Sequence, residues 1–257
     1  MARSAETVMA SSHNDKESLE ASRMPLVEHL RELRSRISRA LIAFGIAAVA
    51  GWFLYAPVLD LMLRPYRRAV DDPEKPLYTL GLLEGFSIRL KVVAFVALLI
   101  ALPVILWQFW RFIAPGLKKR EKRYAIWFVI SSVLLFGFGT VVAYMTAVPA
   151  FGFLLKIGGS NLEPIITGDK YLGFFMAMCI AFGVAFEFPI VLLFLVMVGA
   201  LDSGRLIRGW RIAVLTVVIV AAVITPSQDP ITMLAMAVPM LVFYVLVVLI
   251  AKFAMKR

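Results

Sequence analysis

Glu187 is the residue of this chain whose chemical type and position most clearly indicate a function. It lies within the apolar sequence AMCIAFGVAFEFPIVLLFLVMVG, in a run (Tyr171–Ala200) long enough to cross a bilayer. A carboxylate at that depth costs about 2.5–3.5 kcal/mol on insertion scales, so its retention indicates a function. Pro189 removes a backbone donor and predicts a kink beside it. The alternative is a protonated Glu187 that is hydrogen-bonded internally and only holds helices together.

A second candidate carboxylate lies in the basic segment QFWRFIAPGLKKREKRYAIW. Glu121 has five Lys and Arg neighbours, which keep it ionised and make it an acceptor suited to a guanidinium group. The alternative is a solvated loop in which Glu121 only offsets the repulsion between cations. Phe112 and Pro115 precede it. They could belong to the same site, or they could equally be an interfacial aromatic residue and a helix stop.

Motifs of the common catalytic chemistries are missing from the sequence. There is no GxSxG, HExxH or CxxC, and the GxxxxG spacing within Gly199–Leu206 is not followed by Lys-Ser/Thr. Cys179 is the only cysteine, which excludes a disulfide and a cysteine-based metal site. His13 and His29 have no ligand at metal-binding spacing. We therefore expect no enzyme activity, no metal and no cofactor.

Composition places the chain among integral membrane proteins. Its 257 residues are 61% hydrophobic and 17% charged, and the mean hydropathy is +0.86. The net charge of +10 does not indicate nucleic-acid binding, because the cations lie in short segments between apolar runs. We expect one all-α domain at residues 24–257, preceded by a polar, disordered cytoplasmic tail at residues 1–23.

The elements that must position these residues are six membrane-spanning helices. An amphipathic helix begins at Pro25 and runs along the membrane face into the first span. The fifth span is short, about 20 Å, because Thr225-Pro226 interrupts it. The predicted spans are about Ile37–Tyr55, Phe86–Trp110, Tyr124–Val148, Tyr171–Ala200, Ile212–Ile224 and Thr232–Ala251.

The distribution of positive charge predicts the orientation of the bundle. The two termini and the second and fourth loops hold 19 Lys and Arg, whereas the opposite loops hold 6. This excess predicts that both termini are cytoplasmic. The outer segments, about 57–85 and 149–170, contain apolar residues and predict short helices that form a cap.

Four blocks of the sequence resemble TatC, the multispanning receptor of the twin-arginine protein translocase. In chain order they are HLRELRSRI, WRFIAPGLKKREKR, AFGVAFEFPIV and TPSQDPITMLAMAVP. They extend over about 210 residues with the six-span topology of the family. One block alone would be weak evidence, but the four in this order are specific.

The resemblance implies a receptor for signal peptides that carry two adjacent arginines and an apolar segment. Glu32 and Glu121 would bind the arginines, since carboxylates pair bidentately with guanidinium groups. Arg34 would orient the site, Phe112 and Pro115 would form its floor, and the apolar part of the signal would lie along the concave face of the bundle. The energy would come from the transmembrane proton gradient of a bacterial cytoplasmic membrane.

The resemblance also implies partners in the membrane. Glu187 would contact polar groups of the single-span proteins TatA and TatB, and spans five and six, with Thr225, Pro226 and Asp229, would form their docking edge. This sequence departs from the family pattern at one position. The family often has Gln early in span six, where this chain has Met233, and Gln228 lies before Asp229 instead. Which polar group completes the partner contact is therefore left open.

A competing interpretation is a small proton-coupled transporter in which Glu187 carries the proton. It predicts pH-dependent solute uptake by the chain alone in liposomes. It also expects further polar residues in the spans, and the sequence offers few. An intramembrane enzyme is disfavoured because no nucleophile–base pair or metal set is visible.

Overall fold

The computed structural model describes residues 2–70, 76–113, 125–159, 165–227 and 229–253, and in these ranges the side chains from residue 27 onward except those of Ala125 and Ser203. Within these ranges the secondary structure is helical. The eight helices are α1 (Ala2–Ala69), α2 (Glu84–Ile113), α3 (Ala125–Ile157), α4 (Gly168–Ala185), α5 (Phe188–Met197), α6 (Ser203–Arg208), α7 (Trp210–Ile224) and α8 (Pro230–Phe253).

The six predicted spans are confirmed as a helical bundle. Five segments are long and apolar enough to cross a membrane, with α4 and α5 together forming one of them, and α7 is a shorter apolar helix. The predicted break at Glu187 is also confirmed. Helix α4 ends with Phe186 as its C-cap, and α5 begins at Phe188 with Pro189 in its first turn. Proline is tolerated there because a first-turn amide has no partner within the helix.

The N-terminal segment differs from the prediction. Helix α1 begins at Ala2, so a helix replaces both the predicted start at Pro25 and the predicted disorder of residues 2–23. The physical reason is that adding residues to an existing helix costs far less than nucleating one. The segment is also rich in Ala, Glu, Leu and Met, which are good helix formers. A boundary at residue 23 between a tail and a domain stays a prediction.

Small residues set the close approach of α1 and α2. Ala43, Ala47 and Gly51 follow one another at four-residue spacing on α1, and Ala47 packs against Ala97 and Ala101 of α2. A Cβ atom at Gly51 would lie 2.9 Å from the carbonyl oxygen of Val93. Small residues at helical spacing allow helix backbones to approach in membranes, where burial of apolar surface drives association little.

A second close approach joins α3 to α4 and gives a testable prediction. A Cβ atom at Gly139 would lie 2.7 Å from the backbone oxygen of Phe182, which cannot move without shifting α4. We expect Gly139→Ala to destabilise the protein by about 1–3 kcal/mol, the usual cost of overpacking. Thermal unfolding in detergent would measure this loss. Gly137→Ala is the matched control, since a Cβ atom there meets nothing within 4 Å. A Gly139→Ala melting temperature at or above that of Gly137→Ala would contradict the prediction.

One end of the bundle, where α1 ends, α2 begins, α3 ends and α4 begins, is here called the cap end. The predicted separate cap helices are not found among the described residues. Instead, α1 continues to Ala69 and α3 continues through Pro149 to Ile157. Direct hydrogen bonds tie these extensions to the bundle. The Tyr171 hydroxyl donates to the carbonyl of Met62 at 2.7 Å, and the Tyr144 hydroxyl donates to that of Leu61 at 3.3 Å.

Candidate functional site

Glu32 lies on α1 and is held by an arginine one turn away. Arg36 donates to the same carboxylate oxygen, Oε1, through Nε at 3.1 Å and through a terminal guanidinium nitrogen. The Arg36 side chain is only 12% exposed, whereas that of Glu32 is 36% exposed. Among the described residues, no hydrogen bond reaches the second oxygen, Oε2. The carboxylate is therefore oriented from one side and accessible from the other.

Arg36 is the arginine that contacts Glu32, whereas Arg34 does not contact it. Residues four apart on a helix lie on the same face, whereas residues two apart point in different directions. Arg34 is exposed, and its side chain forms no ion pair or hydrogen bond within the described part of the chain. Its predicted orienting role stays a prediction.

A ring stack brings this part of α1 against the last turn of α2. The rings of His29 and Phe112 are stacked with centroids 4.4 Å apart and an interplanar angle of 20°. The structure therefore brings the predicted residues Glu32 and Phe112 to one place, and it adds His29, which the sequence did not single out. Pro115 and Glu121, the other two predicted residues, lie outside the described residues.

Glu187 belongs to a short chain of polar contacts among three helices. Trp110 on α2 donates from its indole nitrogen to the Ser132 hydroxyl on α3 at 2.7 Å, and the Ser132 side chain lies beside the Glu187 carboxylate. Ser132 is fully buried. One carboxylate oxygen of Glu187, Oε1, is buried and has no hydrogen-bond partner among the described residues. A buried acceptor without a partner is costly, so Glu187 has an unused capacity to bind a polar group.

The two predicted groups of residues are linked through the end of α2. Trp110 contacts Ser132, which lies beside Glu187, and Phe112 contacts His29. Trp110 and Phe112 are separated by about 3 Å along the axis of α2. Around the indole of Trp110 pack the rings of Phe128 and Phe194. Sequence reasoning missed Trp110 and Ser132. The sequence offered one signal for Ser132, a polar residue within an apolar span. Nothing in the sequence pairs Ser132 with Glu187.

The residues predicted for the docking edge of spans five and six have internal partners. Asp229 immediately precedes α8, and its Oδ1 accepts the backbone N–H groups of Ile231 and Thr232, each at 2.9 Å. Its Oδ2 accepts the hydroxyls of Ser227 and Thr232, the latter at 2.7 Å. This is the pattern of a helix N-cap. Thr225 is also buried and donates to the carbonyl of Ala221 at 2.8 Å, whereas Pro226 is exposed.

The ionisation of Asp229 follows from these contacts. Burial alone would raise the pKa of its carboxyl group, but the hydrogen bonds from Ser227, Thr232 and the two amides outweigh burial and lower the pKa. Asp229 is therefore a charged cap that fixes the α7–α8 turn. Its four hydrogen bonds leave it little capacity for a further partner. Gln228 lies outside the described residues, and Met233 is partly buried against the core.

The arrangement suits binding more than catalysis. Within the described ranges no group of three or more His, Cys, Asp or Glu residues could hold a metal ion. The groups available are an oriented carboxylate at Glu32, an aromatic stack beside it, and a buried, partly unpaired carboxylate at Glu187. These groups can bind cations and hydrogen-bond donors presented by another polypeptide.

Comparison with known proteins shows which chains this one resembles. The family model for TatC, the Sec-independent protein translocase protein, matches residues 28–239. A TatC protein of Frankia casuarinae is 41% identical over 237 residues, covering 88% of this chain and 65% of that protein. A TatC protein of Carboxydothermus hydrogenoformans is 35% identical, covering 91% and 96%. A crystal structure of the twin arginine translocase receptor TatC in DDM has a TM-score of 0.73 and 35% identity, covering 88% of this chain and all of that one.

Proposed function

The chain belongs to the TatC family of Sec-independent protein translocase proteins, and on that premise we propose that it is the receptor for twin-arginine signal peptides. The observation that carries this proposal is the accessible Glu32 carboxylate beside the His29–Phe112 stack. A signal peptide presents two guanidinium groups, which bind bidentately to carboxylates and stack on aromatic rings. One side of Glu32 already holds Arg36, and its free oxygen is available to the signal.

Glu121 supplies the second carboxylate of this site. Its five cationic neighbours in the sequence keep it ionised, and it follows Phe112 and Pro115 within ten residues. Two carboxylates on separate segments could bind two adjacent arginines at once. A lysine pair would bind less well, because an ammonium group cannot make the paired hydrogen bonds that a guanidinium group makes. Arg34, exposed on the same helix as Glu32, would help to orient the bound signal.

The apolar part of the signal would pack against the side of the bundle. A cavity of about 350 Å³ opens between α1, α2, α3 and α4, lined almost entirely by apolar side chains that include Val58, Leu99 and Phe175. Leu99 lies 13 residues before Phe112 on α2, which corresponds to about 20 Å along the helix. A helical apolar segment of ordinary signal length could extend from the arginine site to this cavity.

Glu187 would contact the single-span partners TatA and TatB. Its buried Oε1 has no partner in the described part of the chain, so a polar group on an incoming helix could satisfy it. The resemblance to TatC implies that these partners and the receptor assemble in several copies. The proton gradient across a bacterial cytoplasmic membrane would drive transport of folded substrates, and both chain termini would lie in the cytoplasm. The partner edge would be the exposed apolar faces of α7 and α8, held in place by the turn that Thr225, Pro226 and Asp229 form.

The proton-carrier alternative receives no specific support. Within the described residues, Ser132 is the polar side chain beside Glu187, and Glu187 forms no ion pair. A proton relay through the membrane needs a series of titratable groups or waters. A single carboxylate with a single serine contact fits a polar contact between helices better.

Binding of matched signal peptides would test the proposed function. We expect the purified protein in detergent to bind a peptide with the Arg-Arg pair at least about ten-fold more tightly than the same peptide with Lys-Lys, since charge-assisted paired hydrogen bonds are worth that much. Fluorescence anisotropy of labelled peptides would measure both affinities. A peptide with a scrambled apolar segment controls for charge alone. Equal affinity for the Arg-Arg and Lys-Lys peptides would contradict the proposal.

A further inference from the structure

Arg89 lies in the second turn of α2, and its guanidinium group lies over two aromatic rings of α1. Its guanidinium carbon lies 4.2 Å from the ring centroid of Trp52 and 4.9 Å from that of Tyr55. Both distances are within the range of cation–π attraction. The two rings attract the guanidinium group and help to hold it in place, but they are not conventional acceptors for its N–H donors. The site is therefore organised, yet incomplete as a set of hydrogen bonds.

The positive charge of Arg89 has no counter-charge in the described part of the chain. Among the described residues, its buried Nε atom has no hydrogen-bond partner and no carboxylate forms an ion pair with it. Two other cations at the cap end have a counter-charge. Lys91 pairs with Asp169 at 2.6 Å, and Arg67 pairs with Asp60 at 2.9 Å. An unpaired, partly buried cation is costly, so a missing anion is indicated at this position.

The location of Arg89 indicates where that anion comes from. Lys91, two residues further along α2, contacts the first turn of α4, so this level of α2 lies at the cap end, where the spans leave the membrane. Phe86 and Leu90, on either side of Arg89, are exposed on the outer surface of the bundle. Trp and Tyr are enriched at this depth in membrane proteins, at the level of the lipid headgroups. From its level along α2 and its aromatic neighbours, we expect Arg89 to lie among the lipid headgroups.

We propose that Arg89, Trp52 and Tyr55 form a binding site for the phosphate group of an anionic phospholipid in the leaflet at the cap end. The guanidinium N–H groups would donate to the phosphate oxygens in paired hydrogen bonds, and the aromatic rings would hold the guanidinium in place. The acyl chains would lie on the exposed apolar side chains of α1 and α2 nearby. A net anionic lipid is favoured over a zwitterionic one, because no described carboxylate beside Arg89 could bind a headgroup ammonium.

This site does not depend on the proposed receptor function. It lies at the opposite end of α2 from Phe112, and it uses none of the residues assigned to signal or partner binding. Its failure and the failure of the proposed function would therefore appear in different experiments.

Native mass spectrometry of the full chain would test the site. Delipidated protein in neutral detergent is titrated with phosphatidylglycerol or with phosphatidylcholine of matched acyl chains, and bound lipid is counted. We expect a preference for phosphatidylglycerol that Arg89→Gln reduces about ten-fold, the usual contribution of a charge-assisted hydrogen bond. Arg89→Lys should lose part of this affinity, because the ammonium keeps the charge without the planar donors. Trp52→Leu should weaken binding without a change of charge.

Lys156→Gln is the matched control, because it removes an exposed cation at the end of α3, also at the cap end. It should bind phosphatidylglycerol as the wild type does. Two results would overturn the proposal. In the first, the Arg89→Gln and Trp52→Leu variants keep the wild-type preference for phosphatidylglycerol while circular dichroism shows that they are folded. The other is displacement of the lipid by inorganic phosphate at equal concentration, which would make this a site for free phosphate.

Discussion

Replacing Glu32 by alanine is expected to weaken binding of a twin-arginine peptide by about ten-fold to a hundred-fold, the usual range for losing a charge-assisted hydrogen bond. Glu121→Ala should cause a loss of the same size, and the double variant should bind the Arg-Arg and Lys-Lys peptides equally weakly. The physical reason is that each carboxylate pairs with one guanidinium group of the signal. Peptide anisotropy in detergent measures all of these affinities.

Glu28→Ala provides the control for the loss of negative charge on α1. Glu28 is exposed one turn before Glu32 and forms no ion pair within the described residues. It should bind the peptide within about two-fold of the wild type, because exposed single charges contribute little. If Glu32→Ala and Glu121→Ala both bind as Glu28→Ala does, the carboxylates do not bind the signal arginines, and the site assignment is wrong.

Replacing Glu187 by alanine is expected to abolish most crosslinking to a partner helix while peptide affinity stays within about two-fold of the wild type. The unpaired Oε1 is the group that a partner would satisfy, and alanine removes it. Glu187→Gln should retain part of the contact, because the amide still offers an oxygen acceptor. A photocrosslinker at Val184, which is exposed one turn before Glu187, would measure the contact in membranes that contain the partner.

Thr146→Ala serves as the control for removing a buried polar side chain from the spans. Thr146 is 7% exposed and donates only to the carbonyl of Val142 on its own helix. It should leave both crosslinking and peptide affinity unchanged. Unchanged partner crosslinking in Glu187→Ala would mean that Glu187 only holds α2, α3 and α4 together through Ser132 and Trp110.

Features that depend on local sequence were predicted well. The spans follow from apolar run lengths, the break at Glu187 from Pro189, and the short seventh helix from Thr225-Pro226. The capping role of Asp229 was also within reach. Asp followed by Pro is the usual sequence of an N-cap and first turn, but Asp229 was assigned to partner docking by resemblance alone.

Features that depend on distant contacts could not be predicted from one sequence. The series of polar contacts from Trp110 through Ser132 to Glu187 joins residues of separate helices. No rule of sequence spacing connects these three residues. The stack of His29 on Phe112 is of the same kind. The choice of Arg36 over Arg34 was different, because the four-residue rule for helices predicts it directly.

Coupling between the signal arginines and Glu32 tests the central claim most directly. A double-mutant cycle would combine Glu32→Ala in the protein with Arg→Lys at each position of the peptide pair, with binding measured for all combinations. We expect one of the two peptide substitutions to lower the binding affinity about ten-fold in the wild type. The same substitution should change the affinity of Glu32→Ala very little, because the carboxylate that pairs with this arginine is already absent. Equal costs in both backgrounds, at both peptide positions, would show that Glu32 does not bind the signal arginines.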